Sequence, residues 1–167
     1  MKPISQSAIT VLLTGGTIDK HYNEVNGELD FTETHIPELL SLGRNLTDIE
    51  LTHVMLKDSL ELTDDDRQAI LFACQHTTND KVVITHGTDT MVDTAQVLLS
   101  NDLSKTVVLL GAMVPFVFKH SDAMFNMGFA MAAVQTLPHG IYIAMNGKIF
   151  KGDEVVKNRA KGQFEEK

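Results

Sequence analysis

The sequence is poor in cysteine and has no long apolar run. Cys74 is the single cysteine among 167 residues, so an internal disulfide is excluded, and burial in a structural role is the usual fate of such a thiol. No apolar stretch approaches the ~20 residues that a transmembrane helix requires. The segment Met1 to Ser7 lacks the apolar core and the small-residue cleavage site of a signal peptide, which predicts a cytoplasmic protein.

Basic residues are outnumbered as well. The chain has 14 lysines and arginines against 22 aspartates and glutamates, which gives a formal net charge of −8. A surface of this sign repels phosphate groups, and no basic patch is visible, so nucleic acid and anionic membranes are disfavoured as partners. Histidine, cysteine and carboxylate residues also lack the spacing typical of a metal site. We therefore expect neither a metal nor a cofactor.

Strand-like and helix-like segments alternate along the chain, whose hydrophobic content of 43% is typical of a globular protein. The predicted strands are 8–13, 49–54, 82–85, 106–110 and 141–145, and the predicted helices are 36–42, 64–76, 91–99 and 121–136. The alternation predicts an α/β fold: a parallel-sheet, Rossmann-like three-layer sandwich with helices on both faces, formed by residues 1–167 as a single domain. Strand 106–110 is expected to be central and strand 49–54 to lie nearer an edge.

Two segments are expected to be irregular. The polar segment His21 to Thr34 predicts a loop, and the charged tail from Lys148 to Lys167 predicts a loosely ordered end. Helix 121–136 instead consists largely of Met, Ala and Phe, for which a core role is favoured over a partner-binding face. The apolar residues considered for that face are Met124, Phe125, Met127, Phe129 and Met131.

Two glycine-containing turns directly follow predicted strands. Thr14-Gly15-Gly16-Thr17 follows the first strand, and His86-Gly87-Thr88-Asp89-Thr90 follows the third. Parallel strands deliver their carboxyl ends to one sheet edge, so the hydroxyls of Thr17 and Thr88 are predicted to face one another across a shared cleft. The glycine spacing does not fit a dinucleotide fingerprint, and no Gly-Lys-Ser/Thr follows, which disfavours a nucleotide site. A hydroxyl nucleophile would need a neighbouring base, whereas an isolated threonine after glycine is usually only a turn residue.

The segments 14–18 and 86–91 resemble the two signature segments of the bacterial-type L-asparaginases, a family that includes glutaminase-asparaginases. Further similarities occur in the same order along the chain, from Leu13 to about Asn158. They are Asp58-Ser59 with Leu62-Thr63, Gly111-Ala112-Met113 with Pro115, Ser121-Asp122 with Asn126, and Met145-Asn146 with Gly152 and Lys157. The chain resembles the short one-domain members, which correspond to the N-terminal catalytic domain of the longer ones.

The resemblance implies a role for each matching residue. Thr17 corresponds to the nucleophile, and Tyr22 is the tyrosine nearest to it in the loop that follows. Thr88, Asp89 and Lys157 correspond to the second catalytic group, in which a partly desolvated lysine can act as a base once its pKa falls. His86, inside the second signature, is expected to have a hydrogen-bonded structural role.

The predicted substrate-binding residues are Gly16, Asp58, Ser59, Gly87, Thr88 and Asp89. In the family's chemistry, the carboxylate of Asp89 would bind the substrate's α-ammonium, and Ser59 with nearby N–H groups would bind its α-carboxylate. The resemblance thus implies hydrolysis of L-asparagine to L-aspartate and ammonia through a threonine acyl-enzyme, with oxyanion stabilisation by backbone N–H groups of the glycine turns.

Three alternatives stay open. They are a glutaminase-asparaginase, a non-catalytic amino-acid-binding module, and a subunit acting on aminoacylated RNA, which the negative charge disfavours. The family resemblance also implies a homo-oligomer, a dimer or tetramer.

The chain departs from the longer family members at three places. Their smaller C-terminal domain is absent from this sequence, and the loss of its contact to the substrate's ammonium is expected to cost roughly 1.5–3 kcal/mol of binding free energy. The loop from Asp19 to Asp30 is built differently, which affects the lid. Val114 stands before Pro115 where an arginine is usual, which affects loop anchoring or subunit contacts.

Overall fold

The computed structural model describes residues 8–167, so the predicted absence of a signal peptide in Met1 to Ser7 lies outside the described residues. Its central feature is a six-stranded sheet in the order β4-β1-β5-β6-β7-β8. The strands are β1 (Ile9–Gly15), β2 (His21–Asn23), β3 (Glu28–Asp30), β4 (Ile49–Lys57), β5 (Lys81–Thr85), β6 (Thr106–Leu110), β7 (Gly140–Met145), β8 (Lys148–Lys151), β9 (Val155–Asn158) and β10 (Gln163–Glu166). The helices are α1 (Ile36–Leu42), α2 (Asp64–His76), α3 (Met91–Leu99) and α4 (Ala123–Thr136), with 3₁₀ turns at Thr17–Asp19 and Ser59–Glu61.

Five neighbouring strands of the main sheet run parallel, in the spatial order β4, β1, β5, β6 and β7. The sixth strand, β8, pairs with β7 antiparallel. Counted along the chain, the parallel strands take the spatial order 2-1-3-4-5. The winding direction therefore reverses between β1 and β5. In open α/β sheets, ligands bind outside the carboxyl ends of the strands at such a reversal.

Two separate apolar cores cover the two faces of the sheet, as expected for strands that are buried on both sides. Helices α1 and α4 pack on one face, where Ile36, Leu39 and Met127 are buried against β1, β5 and β6. Helices α2 and α3 pack on the other, around Ile70 and Leu98. The predicted three-layer α/β architecture is confirmed.

The predicted elements match the structure closely where turn chemistry marks their ends. Helix α2 begins with a capping box in which Thr63 and Asp66 bond each other's backbone N–H groups. The edge position of β4 and the central position of β6 are also confirmed. Cys74 is buried as predicted, and burial raises the pKa of its thiol to about 12.

Two predictions of irregular structure are wrong. The segment 21–34 contains the hairpin β2–β3, in which Tyr22 pairs with Leu29. The tail forms β8, which extends the main sheet, and the hairpin β9–β10, whose Val155 and Phe164 are buried in the core beneath α3. Three apolar side chains of the tail, Phe150, Val155 and Phe164, are buried, whereas Ile149 and Val156 are exposed. A few buried side chains thus order a segment whose composition is mostly charged and polar.

None of the helices within residues 8–167 is both long enough and apolar enough to span a membrane.

Candidate active site

The two glycine turns lie at the point where the winding of the sheet reverses. Strands β1 and β5 are direct neighbours, and Leu13 pairs with Thr85 at their carboxyl ends. The buried Thr14 hydroxyl donates to the Thr85 carbonyl oxygen at 2.6 Å. This bond fixes the register of the two strands immediately before both turns begin.

The turns themselves touch through their backbones. A Cβ built on Gly16 would lie 2.3 Å from the Gly87 nitrogen, and the φ of Gly16 is +82°. Only glycine permits both this approach and this backbone conformation. Thr17 directly follows Gly16, and Thr88 directly follows Gly87. Thr17 is half-buried and Thr88 is buried. The facing of their hydroxyls stays a prediction, which the contact of the turns supports.

A third turn, Ser59–Glu61, closes on the same place. A Cβ on Gly87 would lie 2.6 Å from the Ser59 Oγ, and the Thr90 hydroxyl donates to the Ser59 carbonyl oxygen at 2.7 Å. Ser59 is 2% exposed. The structure thus brings Gly16, Gly87 and Ser59, three of the predicted substrate-binding residues, into one compact cluster.

Lys157 lies against the predicted catalytic pair of the second turn. Its Nζ donates to the Thr88 Oγ1 at 2.8 Å and to the Asp89 Oδ1 at 2.7 Å, and its side chain is only 10% exposed. The lysine reaches this position from β9, 68 residues further along the chain. Because an ammonium only donates, Thr88 accepts from Lys157 and keeps its own hydroxyl hydrogen free for a ligand.

Backbone donors surround this cluster. Within the described residues, the N–H groups of Thr17 and Thr88 donate no hydrogen bond, so both are available to an oxyanion. The Gly16 N–H donates to the Lys57 carbonyl oxygen at 2.9 Å. Gly16 therefore allows the two turns to approach closely, but its own N–H already has a hydrogen-bond partner and is not available to a ligand.

Within residues 8–167, no hydrogen bond joins Tyr22 to Thr17. It lies on the hairpin β2–β3, its side chain is 51% exposed, and its hydroxyl lies 3.8 Å from where a Cβ of Gly27 would be. The side chain is thus directed along the hairpin. Its predicted interaction with Thr17 stays a prediction.

Asp19 fastens the base of that hairpin. Its carboxylate accepts from the Thr34 hydroxyl at 3.0 Å and from the His35 N–H at 2.8 Å. Burial raises the pKa of Asp19, and the two hydrogen bonds offset this only in part. The segment between Asp19 and Thr34 is therefore a closed loop with a fixed base directly after the Thr17 turn.

Asp58 faces a cation that the sequence did not single out. The Lys20 Nζ donates to the Asp58 Oδ2, and the Leu60 N–H donates to its Oδ1 at 3.0 Å. Burial would raise the pKa of Asp58, but these two donors outweigh the effect of burial and lower the pKa.

The sequence did not single out Arg159 either. Its Nη2 donates to the Asp89 carbonyl oxygen at 3.4 Å. A lone lysine or arginine in a polar segment is usually exposed to solvent, so no sequence signal could have placed Lys20 or Arg159 beside these carboxylates.

No three His, Cys, Asp or Glu side chains gather closely enough to hold a metal ion anywhere in the part of the chain that the structure describes.

His86 has the structural role predicted for it. Its Nδ1 lies 2.7 Å from the Gly87 carbonyl oxygen, and its Nε2 lies 2.7 Å from the Thr94 Oγ1. Since a carbonyl only accepts, Nδ1 carries the proton and the Thr94 hydroxyl donates to Nε2. Complete burial lowers the pKa of His86 to about 4. The neutral ring thereby holds the second turn onto α3.

This pKa predicts an acid-dependent loss of stability. The unfolded chain takes up a proton at His86 below pH 6.5, whereas the folded chain does not until about pH 4. As the pH falls from 6.5 to about 4, the free energy of unfolding should therefore decrease by about 3 kcal/mol through this group alone. The measurement is urea unfolding across this pH range, for the native chain and for His86→Asn, which retains a donor near the Nδ1 position. The variant should show a shallower pH dependence, while Asp19, which acts in the opposite direction, is common to both proteins. Equal slopes would contradict the assignment.

The chain is similar to known proteins. The family model "Asparaginase, N-terminal" matches residues 8–164. A Haemophilus influenzae protein named "Probable L-asparaginase periplasmic" is 32% identical over 165 residues, which are 89% of this chain and 46% of that protein. The chain spans about half the length of the curated relatives it matches.

Solved structures give the same result. The L-asparaginase from Thermococcus kodakarensis superimposes with a TM-score of 0.85 at 31% identity, over 96% of this chain and 51% of that one. A structure described as the probable cytoplasmic L-asparaginase from Campylobacter jejuni gives a TM-score of 0.76 at 34% identity, over 90% and 49% of the two chains. The family model matches residues 8–164, nearly the whole chain, and the chain therefore belongs to the asparaginase family, as its N-terminal domain.

Proposed function

We propose that the chain is an amidohydrolase that converts L-asparagine to L-aspartate and ammonia, with Thr17 as nucleophile. The observation that carries this proposal is the Thr88–Lys157–Asp89 cluster, placed beside the Gly16 turn at the reversal point of the sheet. The family relationship supports it, since the relatives named above are called L-asparaginases.

The proposed reaction has two steps. The Thr17 Oγ attacks the carboxamide carbon, a C–O bond forms, the C–N bond breaks, and ammonia leaves with the proton that the hydroxyl gave up. Water then hydrolyses the ester, which releases the aspartate side-chain carboxyl group and restores the Thr17 hydroxyl. Dividing the reaction in this way replaces one high barrier with two lower ones. The N–H groups of Thr17 and Thr88, which donate no hydrogen bond within the described residues, would stabilise the oxyanion of both steps.

The remaining groups suit a zwitterionic amino acid. Ser59 and its turn would bind the α-carboxylate, and Asp89 the α-ammonium. Thr88 and Lys157, with Asp89, would transfer the protons that the two steps require. Lys157 is more than a tail charge in this scheme, because it is largely buried and bonds both members of the pair.

Asparagine and glutamine differ by one methylene, which a pocket distinguishes by only ~10–200-fold. A glutaminase-asparaginase therefore stays the alternative activity, and a non-catalytic amino-acid-binding module the alternative class. Ammonia release from both amides, measured side by side, separates the three.

The predicted cytoplasmic location stays a prediction. The relatives named above include one whose name says periplasmic and one whose description says cytoplasmic. We propose the cytoplasm on the sequence pattern alone.

The first prediction for activity concerns Thr17. Replacing it by alanine should abolish ammonia release from asparagine while L-aspartate binding, followed by calorimetry, persists. Thr17→Ser keeps a hydroxyl and should retain measurable turnover. Parental activity in Thr17→Ala would remove Thr17 as nucleophile.

The second concerns Lys157. Lys157→Met removes the donor to Thr88 and Asp89 with little change of volume, and kcat should fall about 10²–10⁴-fold, the usual contribution of positioned proton transfer. Lys157→Arg serves as the matched control for charge, since it can restore the ion pair but not a transferable proton. More than half of the parental activity in Lys157→Met would exclude the lysine from the mechanism.

We also propose that the chain self-associates through the face of α4. Met127 and Met131 are buried, as the predicted core role requires, but Met124 and Phe125 are 37% and 61% exposed. Met124 lines an apolar groove of about 290 Å³ between α1 and α4, and Phe125 is the next residue along the helix. A second copy of the chain is the occupant that the family relationship favours.

Phe125→Glu should therefore shift a dimer or tetramer to monomer, measured by analytical ultracentrifugation. The matched control is Phe72→Glu on α2, because Phe72 is 60% exposed on the other side of the sheet. A monomeric native chain, or an equal effect of both variants, would refute this interface.

A further inference from the structure

Lys20 occupies a place between three parts of the site. It directly follows the 3₁₀ turn that begins with Thr17, and its ammonium pairs with Asp58. The ammonium also lies 5.6 Å from the centre of the Phe31 ring, directly after β3. Lys20 thus contacts both the base of the hairpin and the turn that carries Ser59.

The two oxygens of Asp58 divide their work. Oδ1 accepts from the Leu60 N–H and thereby caps the turn Ser59–Glu61, while Oδ2 accepts from Lys20. The position of Ser59 follows from this cap, because its turn begins at Asp58. Lys20 therefore determines where the carboxylate of Asp58, and with it the Ser59 turn, stands relative to Thr17.

This pair differs from an ordinary surface salt bridge, which contributes little. The side chains of Lys20 and Asp58 are 18% and 30% exposed, whereas those of the surface pair Lys151–Glu154 are 63% and 62% exposed. Partial desolvation strengthens the charge pair, and each partner has a further contact that fixes its orientation.

We propose that Lys20 is a positioning residue for the α-carboxylate end of the substrate: it holds Asp58, and through Asp58 it holds Ser59 at a fixed distance from the nucleophile. The inference rests on the proposed function, since it assigns Ser59 to that carboxylate. It also gives the hairpin β2–β3 a direct link to substrate binding, because Phe31 lies against the same ammonium.

The experiment compares steady-state ammonia release from L-asparagine by five proteins: the native chain, Lys20→Met, Lys20→Arg, Asp58→Asn and the double variant Lys20→Met/Asp58→Asn. Lys20→Met should raise KM about tenfold and change kcat less than threefold, because a loosened carboxylate contact affects binding more than chemistry. Lys20→Arg should restore KM to within about threefold. The double variant should raise KM no more than the larger single effect, as expected of two residues that act through one contact.

Lys151→Met is the matched control. It removes a lysine of an exposed ion pair on β8, and Lys151 pairs with Tyr142 near the start of β7, away from the carboxyl ends that form the site. Its KM should equal that of the native chain. Thermal unfolding of all variants identifies any that fail to fold, and Lys20→Arg then decides whether charge at this position is what matters.

The two proposals fail in different ways. A native chain that releases no ammonia from asparagine overturns the proposed function and this inference with it. If the native chain is active but Lys20→Met leaves KM unchanged, the inference alone is overturned. The same follows if the effects of the two single substitutions on KM and kcat add up in the double variant.

Discussion

The contact between the Gly16 and Gly87 backbones is the constraint on which the site depends. A Cβ at Gly16 would lie 2.3 Å from the Gly87 nitrogen, so any other residue would force the two turns apart. The two turns that carry Thr17 and Thr88 could then not meet. The contact is possible because β1 and β5 are paired neighbours and because Thr14 bonds Thr85 just before the turns begin. Sheet register and glycine together therefore bring the two turns into contact.

Close packing continues around this contact and limits how the site can move. Gly87 is pressed against Ser59, and a Cβ on Gly111 would lie 2.4 Å from the His86 carbonyl oxygen. The neutral ring of His86 holds the second turn to Thr94 of α3. The turn that carries Thr17, by contrast, continues into the hairpin β2–β3, which is fixed at its base by Asp19 and carries the exposed Tyr22. The structure thus combines closely packed turns with a hairpin that is largely exposed.

Charge at the site differs from charge over the whole molecule. The chain has a formal net charge of −8, yet Lys20, Lys157 and Arg159 all stand beside the predicted substrate residues Asp58 and Asp89. Paired charges of both signs suit a zwitterionic ligand, which needs a donor cluster at one end and a carboxylate at the other.

Local chemistry determined much of the fold from the sequence alone. The alternation of apolar runs and helical periodicity gave the three-layer architecture, the capping box at Thr63 marked the start of α2, and the two glycine turns identified the sheet edge. Those features depend on neighbours within a few residues, which a sequence displays. The tertiary structure alone decided which distant side chains meet. It brought Lys157, which only the family resemblance had grouped with Thr88, from a tail predicted to be loose onto that threonine. It also placed Lys20 against Asp58. Ion pairs between residues tens of positions apart depend on how the chain packs, and composition carries no record of that packing.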